Sequence, residues 1–281
     1  GLVATAYFGG LTLGALRAGA IVRRVGHIRA FAAFVALLSA STLTYALVQH
    51  PLLWALLRLV DGVCVAGMFI CVESWLNDRA EPETRGGILA AYMVALYSGQ
   101  AIGQLFLSTG AATPAVPFQI ASILISLAIL PVCLTRSTAP TLGEADNLPL
   151  ARLFAASPLG LAGAAITGLI LGAFYGMAAI YARGIGLGLG AIATFMMTVI
   201  LGGVALQWPL GRLSDRYDRR RVIITCFALA LAVSVALAAA PGGGLLLLFG
   251  AAFGGLSFAL YPLCVAHAND RLLPAERVSA S

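Results

Sequence analysis

Three ionisable side chains stand where such side chains are costly. Arg58, Asp61 and Glu73 fall inside one long apolar stretch, PLLWALLRLVDGVCVAGMFICVESWL, running from Pro51 to Leu76. Ionisable groups at membrane depth face a bundle interior or an aqueous cavity and so mark functional sites. Arg58 and Asp61 are one helical turn apart and share a face. Three chemistries are open to them: Asp61 or Glu73 exchanges a proton, Arg58 binds an anionic group, or Arg58 and Asp61 form a buried pair with a purely structural task. Weaker candidates for contact with a solute are polar and aromatic residues in other apolar stretches: Tyr97, Gln100, Gln104, Tyr175, Gln207 and Tyr261. Gln100 and Gln104 lie one turn apart, which disfavours a lipid-facing position. Tyr181 and Trp208 sit near the ends of their stretches and suit either a cavity or the membrane interface.

The elements that must carry these residues follow from composition. Of 281 residues, 60% are hydrophobic and 10% charged, whereas a soluble domain is about a quarter charged. Mean hydropathy is +0.97. The apolar residues come in nine blocks, near 1–22, 28–49, 51–76, 87–109, 114–135, 157–182, 188–211, 220–240 and 243–267. Each is long enough to cross a hydrocarbon core as a helix. Barrel strands would be shorter and alternate in polarity. The expectation is an all-α polytopic membrane protein.

Charge sorts the loops. All 17 basic residues are Arg, and 14 of them fall near 23–29, 77–86, 136–156, 212–221 and 269–277; the alternate loops hold only Arg183. By the positive-inside rule the Arg-rich loops face the cytoplasm, which in a bacterium means multiple passes through the inner membrane. The net charge of +6 is too dispersed among apolar blocks for nucleic acid. The five Cys lie inside apolar blocks without CxxC spacing and read as small buried hydrophobes, so no metal or disulfide is implied. Three scattered His and no HExxH motif or Ser/His/Asp cluster exclude an evident enzyme, and no cofactor is expected. Gly99 and Gly103, and Gly168, Gly172 and Gly176, recur every fourth residue and predict close helix packing. The connection 136–156 reads as a central linker between a helical bundle over 1–135 and another over 157–281. The chain starts inside an apolar block without Met and stops at RVSAS, so a fragment of a longer chain is expected.

The sequence also repeats. GAIVRRVGHIR (Gly19–Arg29) aligns without gaps on GRLSDRYDRRR (Gly211–Arg221), and the same offset of 192 residues carries Asn77-Asp78-Arg79 onto Asn269-Asp270-Arg271, Pro82 onto Pro274, Arg85 onto Arg277 and Gly62 onto Gly254. Six blocks separate equivalents. Six is even, so both copies share one membrane orientation, the parallel repeat of a known transporter architecture.

GRLSDRYDRRR resembles the signature of the major facilitator superfamily, Gly-x-Leu-x-Asp-Arg-x-Gly-Arg-Arg. It matches at Gly211, Leu213, Asp215, Arg216, Arg219 and Arg220, with Asp218 at the second Gly. The first copy keeps Gly19, Arg24 and Gly26 but has Arg23 at the acidic position. Arg58-Leu-Val-Asp-Gly62 is similar to that family's fourth-helix motif, and VESWLNDRAEPETRG, QWPLGRLSD and FALYPL resemble its bacterial YcaD-like permeases. The resemblance implies two six-helix bundles in parallel pseudo-repeat, truncated here at both ends to about helices two to ten of twelve. It implies a secondary transporter, symporter or antiporter, that moves a small solute, with or without protons, by alternating access, as a monomer in the bilayer. It implies that Gly211 lets two helices approach closely, that Asp215 accepts from a neighbouring helix N-terminus, and that Arg216, Arg219 or Arg220 pairs with Asp270 to latch one access state. The fifth helix reads SGQAIGQ, without the Gly-Pro motif of many drug antiporters, which lowers the expectation of drug efflux. A non-transporting receptor or scaffold on the same fold is the alternative.

Overall fold

Backbone amides inside a hydrocarbon core must bond to one another, which forces helix onto each apolar block. The computed structural model describes residues 1–79, 85–134, 150–240 and 242–271, without the side chains of 77–79, 85–87, 89, 90, 150, 151, 153 and 269. In chain order the helices are α1 (Leu2–Val25), α2 (His27–Leu47), α3 (Pro51–Arg79), α4 (Arg85–Leu105), α5 (Val116–Leu134), α6 (Leu150–Ala156), α7 (Pro158–Gly184), α8 (Leu189–Arg216), α9 (Arg219–Ala239) and α10 (Gly243–Asp270). Seven of them, α2, α3, α5 and α7 to α10, are long and apolar enough to cross a membrane. Among the described residues there is no strand.

Two details differ from the sequence expectation. The end of the fourth block is a 3₁₀ turn, Phe106–Ala111, since Ser108, Thr109 and Gly110 favour a turn over continued α-helix. The end of the expected linker is helical as α6. Ser157 then caps α7, its Oγ accepting from the Gly160 N–H at 3.3 Å, with Pro158 at the first helical position, where a missing N–H costs nothing.

Contacts divide the chain into two units, one of Gly1–Met93 with Thr109–Gly143 and one of Val94–Ser108 with Glu144–Ser281, the first part of α4 counting with one and its remainder with the other. In the first unit α3 packs on α1 and α2, and α5 packs on α2. Its core joins Ala18, Val22, Phe31, Phe34, Val35 and Cys64. Ser39 on α2 bonds the Ser122 carbonyl at 3.0 Å and the Ser126 hydroxyl at 2.8 Å on α5. In the second unit α10 packs on α7, α8 and α9, around Phe195, Val199 and Ile200 on one side and Ile223, Leu260 and Cys264 on another.

The 192-residue offset reappears in the backbone. It carries α2, 27–47, onto α9, 219–239, end for end. A Cβ at Gly10 would stand 2.1 Å from the Leu59 carbonyl oxygen, and one at Gly62 2.2 Å from that of Tyr7. Their counterparts behave alike: a Cβ at Gly202 would stand 2.1 Å from the Ala251 oxygen and one at Gly254 1.9 Å from that of Val199. Four glycines thus bring backbone onto backbone at α1/α3 and again at α8/α10, the contact small residues allow between membrane helices. The offset was legible at Gly62 and Gly254; Gly10 and Gly202 complete it. The expected packing faces at Gly99, Gly103 and Gly168 are corrected, because a Cβ at any of the three would meet nothing within 4 Å. Spacing places glycines on one face without saying that another helix covers it.

Candidate functional site

The first candidate lies in the first unit, where α1, α2 and α3 meet. Asp61 is 3% exposed. The Tyr45 hydroxyl donates to its Oδ2 at 2.7 Å, while its Oδ1 is buried with no partner among the described residues. Arg58 does not pair with Asp61; its guanidinium lies 5.3 Å from the Tyr45 ring centroid and 6.0 Å from that of Tyr7, within cation–π range. Tyr45 is held in turn by Phe118 of α5, stacked at 5.6 Å, and by Trp54 of α3, edge-on at 5.5 Å. The Trp54 indole N–H donates to the Val48 carbonyl at 2.8 Å, fixing the start of α3 against the end of α2. The structure therefore replaces the buried ion pair with an aromatic cage around the cation and a phenol on the carboxyl. An unpaired buried polar atom costs about 1–3 kcal/mol, which sets Asp61 Oδ1 apart from the rest of the apolar span. Glu73 is half-buried, further along α3, with the Tyr92 hydroxyl 3.5 Å from its Oε1.

The second candidate lies in the second unit. The Tyr175 hydroxyl of α7 donates to Gln100 Oε1 of α4 at 3.1 Å. Phe258 of α10 stands edge-on to both Tyr97, at 5.4 Å, and Tyr175, at 6.1 Å. Three of the six expected solute contacts are thus brought together around Phe258. The others are not: Gln104 and Gln207 are half-buried and Tyr261 is exposed, none with a hydrogen-bond partner among the described residues.

The third is the charged turn. Arg219, only 18% exposed in its side chain, donates to Asp215 Oδ1 at 2.8 Å and forms a second ion pair with Asp270 Oδ2. It ties the end of α8 and the start of α9 to the end of α10. The α9 N-terminus is capped by Asp218, which accepts from the Arg220 N–H at 3.0 Å, so Asp215 does not serve this helix end. Arg216 and Arg220 are exposed and outside the network. Gly211 is corrected as a point of close approach: no neighbouring atom lies within 4 Å of where its Cβ would be, since it stands beyond the α8/α10 crossing. In the first copy Gly26 turns α1 into α2 with φ +87°, a conformation that favours glycine. Gly19 meets only the Arg23 side chain, at 3.6 Å, and Arg24 is exposed. His27, 3% exposed, sits where the second copy has Arg219, and its Nε2 lies 2.9 Å from Ser74 Oγ of α3. The side chains of Asn77, Asp78, Arg79, Arg85 and Asn269, and residues Pro82, Pro274 and Arg277, lie outside the described residues.

The sequence model of the Major Facilitator Superfamily matches residues 1–280. The chain belongs to the major facilitator superfamily. An uncharacterized MFS-type transporter of Enterobacter sp. (strain 638) is 32% identical over 97% of this chain and 71% of its own length. The uncharacterized MFS-type transporter YcaD of Salmonella enteritidis PT4 is 29% identical, again over 97% and 71%. The solved structure of a bacterial homolog of the human lysosomal transporter Spinster, inward-facing and unoccupied, aligns with a TM-score of 0.74 at 17% identity, over 98% of this chain and 70% of that one. The superfamily is one of multi-pass membrane transporters and not of enzymes. The second copy keeps Asp215, which Arg219 grips, and has Asp218 at the second Gly of the motif; the first has Arg23 at the acidic position. Tyr7, Tyr45, Trp54 and Phe118 were not found from the sequence, since no spacing ties them to Asp61. Phe258 was not singled out either, although it opens the FALYPL stretch.

Proposed function

We propose that the chain is a proton-coupled secondary transporter in which Asp61 is the proton site and a small uncharged solute binds at Tyr97, Gln100, Tyr175 and Phe258. The observation that carries the reading is the bare, buried Oδ1 of Asp61 beside the Tyr45 hydroxyl: it is the position a proton takes and leaves, and hydroxyl and guanidinium hold the carboxyl in place. Glu73 lies twelve residues on, about 18 Å along the helix axis, at the end of α3 toward the Arg-rich turns, and serves as the next proton acceptor. The solute wall is uncharged, and its amide and phenol groups suit a neutral ligand with hydroxyl or carbonyl groups. The bundles are 1–135 and 157–281 with 136–156 between them, and the Arg-rich turns face the cytoplasm, supported by Arg212, Arg216 and Arg219–Arg221 at one end against Arg183 at the other.

The test is transport by reconstituted protein of labelled neutral solutes under an imposed pH gradient. The wild type accumulates its solute, and a protonophore abolishes accumulation. Asp61→Asn loses gradient-driven accumulation yet keeps solute counterflow, because exchange needs the solute site alone. Accumulation by Asp61→Asn at the wild-type level refutes Asp61 as the proton site.

A further inference from the structure

On the flank of the second unit, α8 and α9 leave a cleft of about 390 Å³ floored by Leu256 of α10. Its walls are Leu210, Leu213, Val222, Cys226 and Leu229, and Tyr217, Asp218 and Arg221 complete it at the Arg-rich end. Leu213 is 42%, Leu229 49% and Tyr217 67% exposed. In the first unit the equivalent positions are Ile21, Leu37 and Val25, exposed by 42%, 55% and 41% although α5 packs on α2 there. The flank is therefore open in both copies, and in a membrane-spanning chain what meets it is hydrocarbon.

Charge identifies the head of that hydrocarbon. The first turn of α9 holds Arg219, Arg220 and Arg221 and no acid, placing cations at the positive end of the helix dipole. Arg219 is taken up by Asp215 and Asp270. Asp218 Oδ1 is occupied by a backbone N–H, and Arg221 reaches Oδ2 only at 3.8 Å with its side chain 87% exposed. Arg220 has no ion pair among the described residues. Arg221 at the edge of the cleft and Arg220 one residue before it, on a helix end that already favours an anion, remain to be neutralised. The α2 turn has a single arginine in its first three residues, Arg29.

We propose that this cleft seats an acyl chain of an anionic phospholipid, with its phosphodiester on Arg220 and Arg221. Basic sites between membrane helices recognise such headgroups. The binding requires no transport and is read separately from it.

The test is native mass spectrometry of the purified full chain with phosphatidylglycerol and phosphatidylcholine of identical acyl chains. The wild type retains phosphatidylglycerol in preference, by about five-fold for each arginine engaged. Arg221→Gln lowers the preference by that factor and Arg220→Gln lowers it again. Arg221→Lys keeps it, and Arg183→Gln, a charge-matched change at the other end, leaves it untouched. Leu229→Trp fills the cleft and lowers phosphatidylglycerol retention with every charge in place. Excess inorganic phosphate does not displace the lipid. Equal retention of the two lipids by the wild type, equal loss in Arg183→Gln and Arg221→Gln, or displacement by phosphate alone overturns the proposal.

Discussion

Replacing Gly254 with alanine tests the helix crossing on which the repeat rests. The new methyl would stand 1.9 Å from the Val199 carbonyl oxygen, 2.7 Å from its carbon and 2.9 Å from Val199 Cγ1. Ordinary contact begins near 3.4 Å, so α8 and α10 must part by about 1.5 Å at their closest point. The two nearest obstructing atoms are backbone and cannot rotate away. Overpacking of this kind costs roughly 1–3 kcal/mol, and a carbonyl clash belongs at the upper end. Alanine returns roughly 1 kcal/mol of helix propensity, leaving a net destabilisation of about 2 kcal/mol. For a chain of this size that lowers the thermal midpoint by about 4–8 °C, measured by tryptophan fluorescence in one detergent. Gly211→Ala, with open space around it, is the control and melts at or slightly above the wild type. Gly62→Ala repeats the Gly254 result in the first unit. A Gly254→Ala protein that melts no lower than Gly211→Ala refutes the reasoning.

Gly26→Ala forces a side chain into φ +87°, ψ 157°, a region open essentially to glycine alone, and lowers stability by roughly 1–3 kcal/mol, seen as a lower unfolding midpoint; Gly26→Asn loses as much, because asparagine tolerates the αL region and not this one. A double-mutant cycle on Arg219→Gln and Asp270→Asn gives a coupling of about 0.5–1 kcal/mol in unfolding free energy, and additivity within about 0.3 kcal/mol contradicts an ion pair that holds α9 to α10.

The sequence made the helices, their order and the repeat legible because each rests on a strong local signal: block length, Arg in alternate loops, Gly and Arg at one offset. Arg58 and Asp61 were legible as a costly placement, but their partners were not. Tyr45 reaches Asp61 from α2 across to α3, and phase within α2 alone does not tell which of its side chains arrives there. The same limit misplaced Gly211, Gly99 and Gly168, since a glycine permits approach without drawing a neighbour to it. Phe258 escaped for the opposite reason: it is an ordinary core residue whose ring edge happens to unite Tyr97 and Tyr175.

Superposing the two copies by residue number shows how one backbone has been given two chemistries. Gly14 accommodates Val63 in the first unit; at the same two positions the second has Leu206 against Gly255, so size has moved from one helix to the other with the crossing preserved. Arg58, Asp61 and Tyr45 correspond to Gly250, Phe253 and Leu237. The space above Gly250 is filled by the Phe195 ring, 2.9 Å from where a Cβ would be, so the second unit has neither the charge nor room for it. Conversely Arg219, which grips both Asp215 and Asp270, corresponds to His27, and Asp215 to Arg23; His27 meets a neutral serine instead. A shared core geometry sustained by backbone contacts leaves the inward polar positions free to diverge. The buried carboxyl therefore lies in the first unit and the ion-pair clamp in the second, so substitutions at Asp61 and in the clamp perturb separate units.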